Sequence, residues 1–195
     1  TCTSVSWFSA AMRASRAGYA DPWAPPSAAP IDADATVLLL GTGLTMVDYV
    51  LSLLRDGHRG PIIAMSRRGL LAKPHRRVDA QRIEEAEIPF GASISSLLRW
   101  LRLRIDRSVA EGGDWRSVID GLRPYTQRLW HELPPPSKRR FVEHARAWWD
   151  VHRHRMAPEV EARVIQAIHA GQLDLMAAKV ISVAPNDDGA RVHYR

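Results

Sequence analysis

The sequence predicts an α/β protein. A Rossmann-like parallel sheet forms a nucleotide-binding domain, with a large helical insertion and a C-terminal β-hairpin. Three observations carry this reading. Residues 35–40 are a nearly unbroken apolar run, the signature of a parallel strand covered on both faces, and Gly41 and Gly43 follow at once. Beyond Leu44 the apolar period becomes helical, with Met46, Val47, Val50, Leu51 and Leu54 on one face. A second apolar run at 62–65 leads into Ser66, Arg67 and Arg68.

The strand–turn–helix at 35–54 brings free backbone N–H groups and the positive end of a helix dipole to one point, an arrangement that favours a pyrophosphate. The full dinucleotide fingerprint has three glycines. Gly41 and Gly43 fill the first two places and Met46 stands in the third, so the helix is expected to sit further from the sheet. Thr45 supplies a hydroxyl in the first helical turn, for a cap or a phosphate oxygen. Gly60 and Pro61 are expected to end this helix.

The end of the second strand selects the nucleotide. An NAD site places Asp or Glu about 20 residues past the glycines, to accept from the ribose 2′-hydroxyl. Ser66, Arg67 and Arg68 stand there instead. Guanidinium groups bind a 2′-phosphate bidentately and a serine hydroxyl can add a donor, so the sequence leans to NADP(H). The candidate cofactor-binding residues are Gly41, Thr42, Gly43, Leu44, Thr45, Ser66, Arg67 and Arg68.

Composition bounds the remaining choices. The chain has 195 residues, 46% of them hydrophobic, enough for a folded core. The formal charge is +6, but no Lys/Arg run exceeds three, which disfavours a nucleic-acid-binding role and suits phosphorylated small molecules. Cys2 is the single cysteine, which leaves no disulfide framework or thiolate metal site. No stretch is long and apolar enough for a membrane span, and no signal-peptide pattern opens the chain. A cytoplasmic location is the default expectation.

In chain order, residues 1–34 read as an N-terminal helix over 5–16 and a Pro/Ala-rich connector with Trp23. Residues 35–75 and 171–195 make the nucleotide-binding core, and 76–170 the helical insertion. His75 reads as a surface-loop histidine. Within the insertion Ser93 should cap a helix over 94–110 whose buried face is Leu97, Leu98, Leu101 and Ile105, stopped by Gly112 and Gly113. Asp114 caps a short helix ended by Gly121, and 124–132 forms another. After the break at 133–136, Ser137 should cap a long helix through Trp148 and Trp149. Pro158 suits the first turn of a last helix ended by Gly171. Residues 173–176 and 179–184 return to β, and residues 186–189 form a turn into a return strand over 190–194. The sequence stops inside this hairpin with an open edge, as expected of a piece of a longer polypeptide.

The cluster at 148–156 holds His152 and His154, two apart. On one helix they point about 200° from each other, so no metal site is expected. Arg153 or Arg155 is expected to pair with phosphate or with Asp150.

Three segments, 38–48, 66–69 and 149–156, together resemble the bacterial FAD/NAD(P)-binding protein family, which includes or adjoins proteins described as FAD-dependent urate hydroxylase-like. The similarity runs from about residue 19 to the C-terminus. It implies a two-dinucleotide flavoprotein of which this chain is the second nucleotide domain, with Asp21-Pro22-Trp23 at the crossover between domains. Gly41, Gly43 and Thr45 would meet the pyrophosphate, and Ser66, Arg67 and Arg68 the adenosine 2′-phosphate. FAD would belong to the FAD-binding domain of the same longer polypeptide, since this chain has no second Gly-x-Gly-x-x-Gly. The resemblance thus implies the NADPH-binding part of a flavin-dependent oxidoreductase or monooxygenase, catalytically incomplete alone. The competing reading is a degenerate Rossmann module that binds a partner protein or nucleic acid. Neither reading names a catalytic residue or an oligomeric state.

Overall fold

A computed structural model describes residues 2–5, 31–186 and 189–195. The chain divides into two compact units. One holds the described residues up to Pro74 together with 155–195; the other is 75–154.

The first unit is built on three parallel strands, β2 (Val37–Leu40), β3 (Ile62–Ser66) and β4 (Leu173–Ala177), in the order β2-β3-β4. Val37 pairs with Ile62 and Ile62 with Leu173. Alternate residues serve opposite faces. Val37, Ile62, Ala64 and Leu173 pack with Val47 and Val50 of α1 (Leu44–Arg55) and with Val164 and Ala167 of α7 (Pro158–His169). On the other face Leu38 and Met65 pack with Ala178, just after β4, and with Val192 of β6 (Gly189–Tyr194), which pairs antiparallel with β5 (Val180–Asn186). Cover on both faces explains why β2 and the start of β3 read as continuous apolar runs.

The sequence expects an open edge on the closing hairpin and a helix starting at Val5. Instead β1 (Cys2–Val5) pairs antiparallel with β6, Cys2 opposite His193, so β6 is the central strand of three. The rest of that expected helix, and the connector with Trp23, lie outside the described residues.

The expected insertion, 76–170, is too long. Its helical unit ends at His154, and α7 belongs with the sheet. Parallel neighbours β3 and β4 need a crossover connection, and a helix supplies it by laying an apolar stripe on the sheet. Val160, Val164, Ala167 and Ile168 are that stripe. The chain leaves and re-enters this unit side by side, with Pro74 bridging Met156 and the Met156 amide donating to the Lys73 carbonyl at 2.9 Å.

The end of α1 also differs from expectation. The helix stops at Arg55, not at Gly60. Gly57 takes φ 82°, and the amides of Gly57 and His58 donate back to the carbonyls of Leu54 and Leu53 at 3.3 and 3.0 Å, a Schellman motif. Gly171 ends α7 in the same way, with the Gly171 and Gln172 amides donating to Ile168 and Ala167, both at 3.0 Å.

The second unit contains α2 (Ile94–Ala110), α3 (Trp115–Gly121), α4 (Thr126–Glu132), α5 (Pro135–Arg140) and α6 (Arg146–Arg153). A π-helical turn, Phe141–Ala145, joins α5 to α6. Ser93 caps α2 and Asp114 caps α3, as their positions predict, each accepting from a backbone amide two or three residues on. Burial works against ionisation of Asp114. Hydrogen bonds from the Arg116 amide and guanidinium, with the charge of Arg76, outweigh it and hold the carboxyl below the usual carboxylate range. Ile83, Ile88, Leu122 and Leu129 form the core of this unit.

Two expectations here are corrected. Gly121 is buried inside the last turn of α3; a Cβ there would lie 2.2 Å from the Gln81 carbonyl oxygen, so the glycine serves close packing. Ser137 does not cap its own helix, which starts at Pro135 behind Pro134. It is buried, and its hydroxyl oxygen accepts from the Ile94 amide at 3.1 Å, a donor at the start of α2 that has no partner within the helix. Ser137→Ala should therefore lower stability by about 1–2 kcal/mol, the cost of stranding a buried donor. Urea unfolding of the variant against wild type measures this, and an unchanged midpoint would refute the assignment.

The 148–156 cluster is likewise redistributed. Asp150 pairs with Arg146, one turn earlier, at 3.4 Å. The His152 ring packs edge-on against Trp115 at 4.9 Å between centroids. Trp148 is half exposed.

Candidate functional site

The sequence-selected residues converge on the carboxyl edge of the parallel sheet, where β2 passes into α1 and β3 into the following loop. Gly41 has φ 111°, a left-handed conformation that favours glycine, and its amide continues the ladder by donating to the Met65 carbonyl at 2.7 Å. It makes the turn, the role its place in the motif predicts.

Gly43 is different. It is the N-cap of α1 with φ −82° and ψ −174°, extended backbone that any residue adopts. A Cβ built there meets nothing within 4 Å. Neither backbone conformation nor packing within the described protein calls for glycine at 43. Another use of a glycine in such a turn is to let a further group approach the backbone closely. No side chain caps α1, Thr45 included, and its first turn has no acidic residue. The amides of Leu44, Thr45 and Met46 therefore point from a positive dipole end with no carboxylate in the first turn of the helix to compete for them. Met46 is buried in the main core beside Val47, which places the bulk of the altered third position in the layer between helix and sheet.

Thr42 and Ser66 join the two loops. Thr42 is buried, and its hydroxyl donates to the Leu70 carbonyl at 2.5 Å. Its Oγ1 lies 2.9 Å from Ser66 Oγ, and with the Thr42 proton given to Leu70 the Ser66 hydroxyl must donate to Thr42. Ser66 Oγ accepts from the Gly69 amide at 3.0 Å. In this geometry the serine proton is engaged inside the protein, so Ser66 shapes the turn that presents Arg67 and Arg68, both exposed. Gly69 completes the turn at φ 59°, where a Cβ would crowd the Ala177 amide at 3.1 Å. The sequence reading passed over Leu70 and this use of Gly69. Gly69 directly after Ser66-Arg67-Arg68 was the available signal for a tight turn.

Among the described residues no group of three or more His, Cys, Asp or Glu could hold a metal ion. No described helix is long and apolar enough to cross a membrane. Comparison with family models, with curated proteins and with solved structures finds no match.

Proposed function

We propose that this chain is an NADPH-binding domain of a flavin-dependent oxidoreductase or monooxygenase. The observation that carries the reading is Gly43, for which neither its backbone nor its packing among the described residues requires glycine, at the start of α1 where it makes no side-chain cap. Gly41 turns the chain, and the amides of residues 44–46 would receive the pyrophosphate. Arg67 and Arg68, at the end of the adjacent strand, would take the 2′-phosphate, while Thr42 and Ser66 hold the two loops in register. When bound, NADPH supplies a hydride; FAD, its acceptor in this reading, would be held by a separate domain. The part of this chain is to bind and orient.

Parallel titrations with NADPH and NADH, read by tryptophan fluorescence, test the proposal. Wild type should prefer NADPH. Arg67→Ala/Arg68→Ala should weaken NADPH by about 10- to 100-fold, the loss of charge-assisted phosphate contacts, and leave NADH nearly unchanged. Equal affinity of wild type for both nucleotides, or binding of any polyanion with a steep salt dependence, would refute it and favour the nucleic-acid-binding alternative.

A further inference from the structure

The helical unit holds a half-open cavity of about 380 Å³. Ile94, Leu122, Leu129 and Leu133 form its buried lining. Leu97, Leu98 and Leu101 of α2 are the residues whose spacing predicts a buried core face. They are half-buried: Leu97 and Leu101 pack against the core of this unit, and with Leu98 they also line this space. Trp130 and Val142 stand at its exposed rim, at 44% and 45% exposure.

Folded interiors leave few voids larger than a water molecule, because unfilled apolar space forfeits packing contacts. An apolar space of this size, in a unit with a small core of its own, points to an occupant. The helix wall adds a second, independent observation. Phe141–Ala145 is a π-helical turn, and Phe141 and Val142 from it enter the lining. Such turns interrupt regular helix hydrogen bonding and occur frequently at functional sites.

Size and polarity define the occupant. A cavity of about 150 Å³ accepts one benzene ring, so this one matches a body of two rings. Its few polar lining groups include Arg146 and Asp150, 3.4 Å apart. A guanidinium donor beside a carboxylate acceptor, their charges cancelling, suits a neutral hydroxyl or carbonyl better than an ionic head. We propose that this cavity binds a neutral two-ring aromatic molecule, its rings among the leucines and its polar end at the Arg146–Asp150 pair.

Every lining residue lies within 75–154, and every candidate nucleotide residue lies outside it. Success or failure here is therefore read separately from NADPH binding. The test titrates the full chain at neutral pH with 2-naphthol and, in parallel, with naphthalene-2-sulfonate. The expected result is saturable one-to-one binding of 2-naphthol, tighter than the sulfonate by about tenfold or more. Leu98→Trp, which fills the space, should weaken 2-naphthol by about tenfold or more while circular dichroism stays native. Should that variant fail to fold, Val142→Trp at the exposed rim takes its place. No saturable binding to wild type, a preference for the sulfonate, or undiminished binding to a folded filled variant would each overturn the proposal.

Discussion

Gly43→Asp should make the protein more stable and unable to hold NADPH. Position 43 has N-cap geometry, open space around its missing Cβ and no side-chain cap in the native sequence. Aspartate is among the best N-cap residues, and its charge complements the helix dipole. The gain should be about 0.5–1 kcal/mol, or roughly 1–4 °C in a chain of this size. The same carboxylate would sit where the proposed site receives a pyrophosphate, and juxtaposed like charges cost several kcal/mol. NADPH affinity should fall by about 100-fold or more. Opposite signs in the two readouts are what give the experiment its force, because a variant that merely damages the fold lowers both. Gly41→Ala supplies that contrast: at φ 111° an alanine is strained, and both stability and binding should drop. Thermal unfolding and an NADPH titration on the two variants decide the matter. If Gly43→Asp is stabilised and still binds NADPH with native affinity, the pyrophosphate does not lie at this turn.

Local pattern made the elements of the candidate site legible in the sequence. The run at 35–40, the glycines and the switch to helical spacing fixed β2, the turn and α1, because each signal is confined to a few neighbouring residues. Ser93 and Asp114 were readable as caps for the same reason: the amide each accepts from is two or three residues away. What the sequence concealed depends on partners far along the chain. Ser137 has the look of a local cap, yet its partner is the Ile94 amide, 43 residues earlier. The apolar stripe of α2 reads as core, and Leu97 and Leu101 do pack on it; that the same stripe also borders a cavity was hidden, because both surroundings give the same periodicity. The true extent of the insertion was hidden because α7 has the same amphipathic pattern whether it packs on helices or on a sheet; only the crossover requirement of β3 and β4 assigns it. At the site itself the residue types were visible, but the Thr42–Ser66–Leu70 connection was not, since it joins loops separated by 24 and 28 residues.

Two glycines after α1 look alike in sequence and should respond very differently to alanine. Gly57 has φ 82° with open space beyond it, so Gly57→Ala should cost about 1–2 kcal/mol, the penalty for placing an L-residue in the left-handed region. Gly60 shows no such backbone requirement, but a Cβ there would lie 2.2 Å from the Ala35 carbonyl oxygen and 2.6 Å from that of Asp34. Both contacts are backbone, so no rotamer change relieves them. The segment at 33–35 is also tied to this corner by the Arg59 and Gly60 amides, which donate to the Ala33 carbonyl at 2.6 and 2.9 Å. Moving it away strains the start of β2, where the Val37 amide donates to the Pro61 carbonyl at 2.9 Å. Gly60→Ala should therefore cost about 3 kcal/mol or more, at the upper end of overpacking penalties. The bidentate Arg59–Asp34 pair beside it is solvent-exposed and too weak to compensate. Urea unfolding of the two variants orders them directly. A Gly60→Ala midpoint equal to or above that of Gly57→Ala would mean that the 33–35 segment yields freely, and that close packing at this corner does not fix the register between β2 and β3.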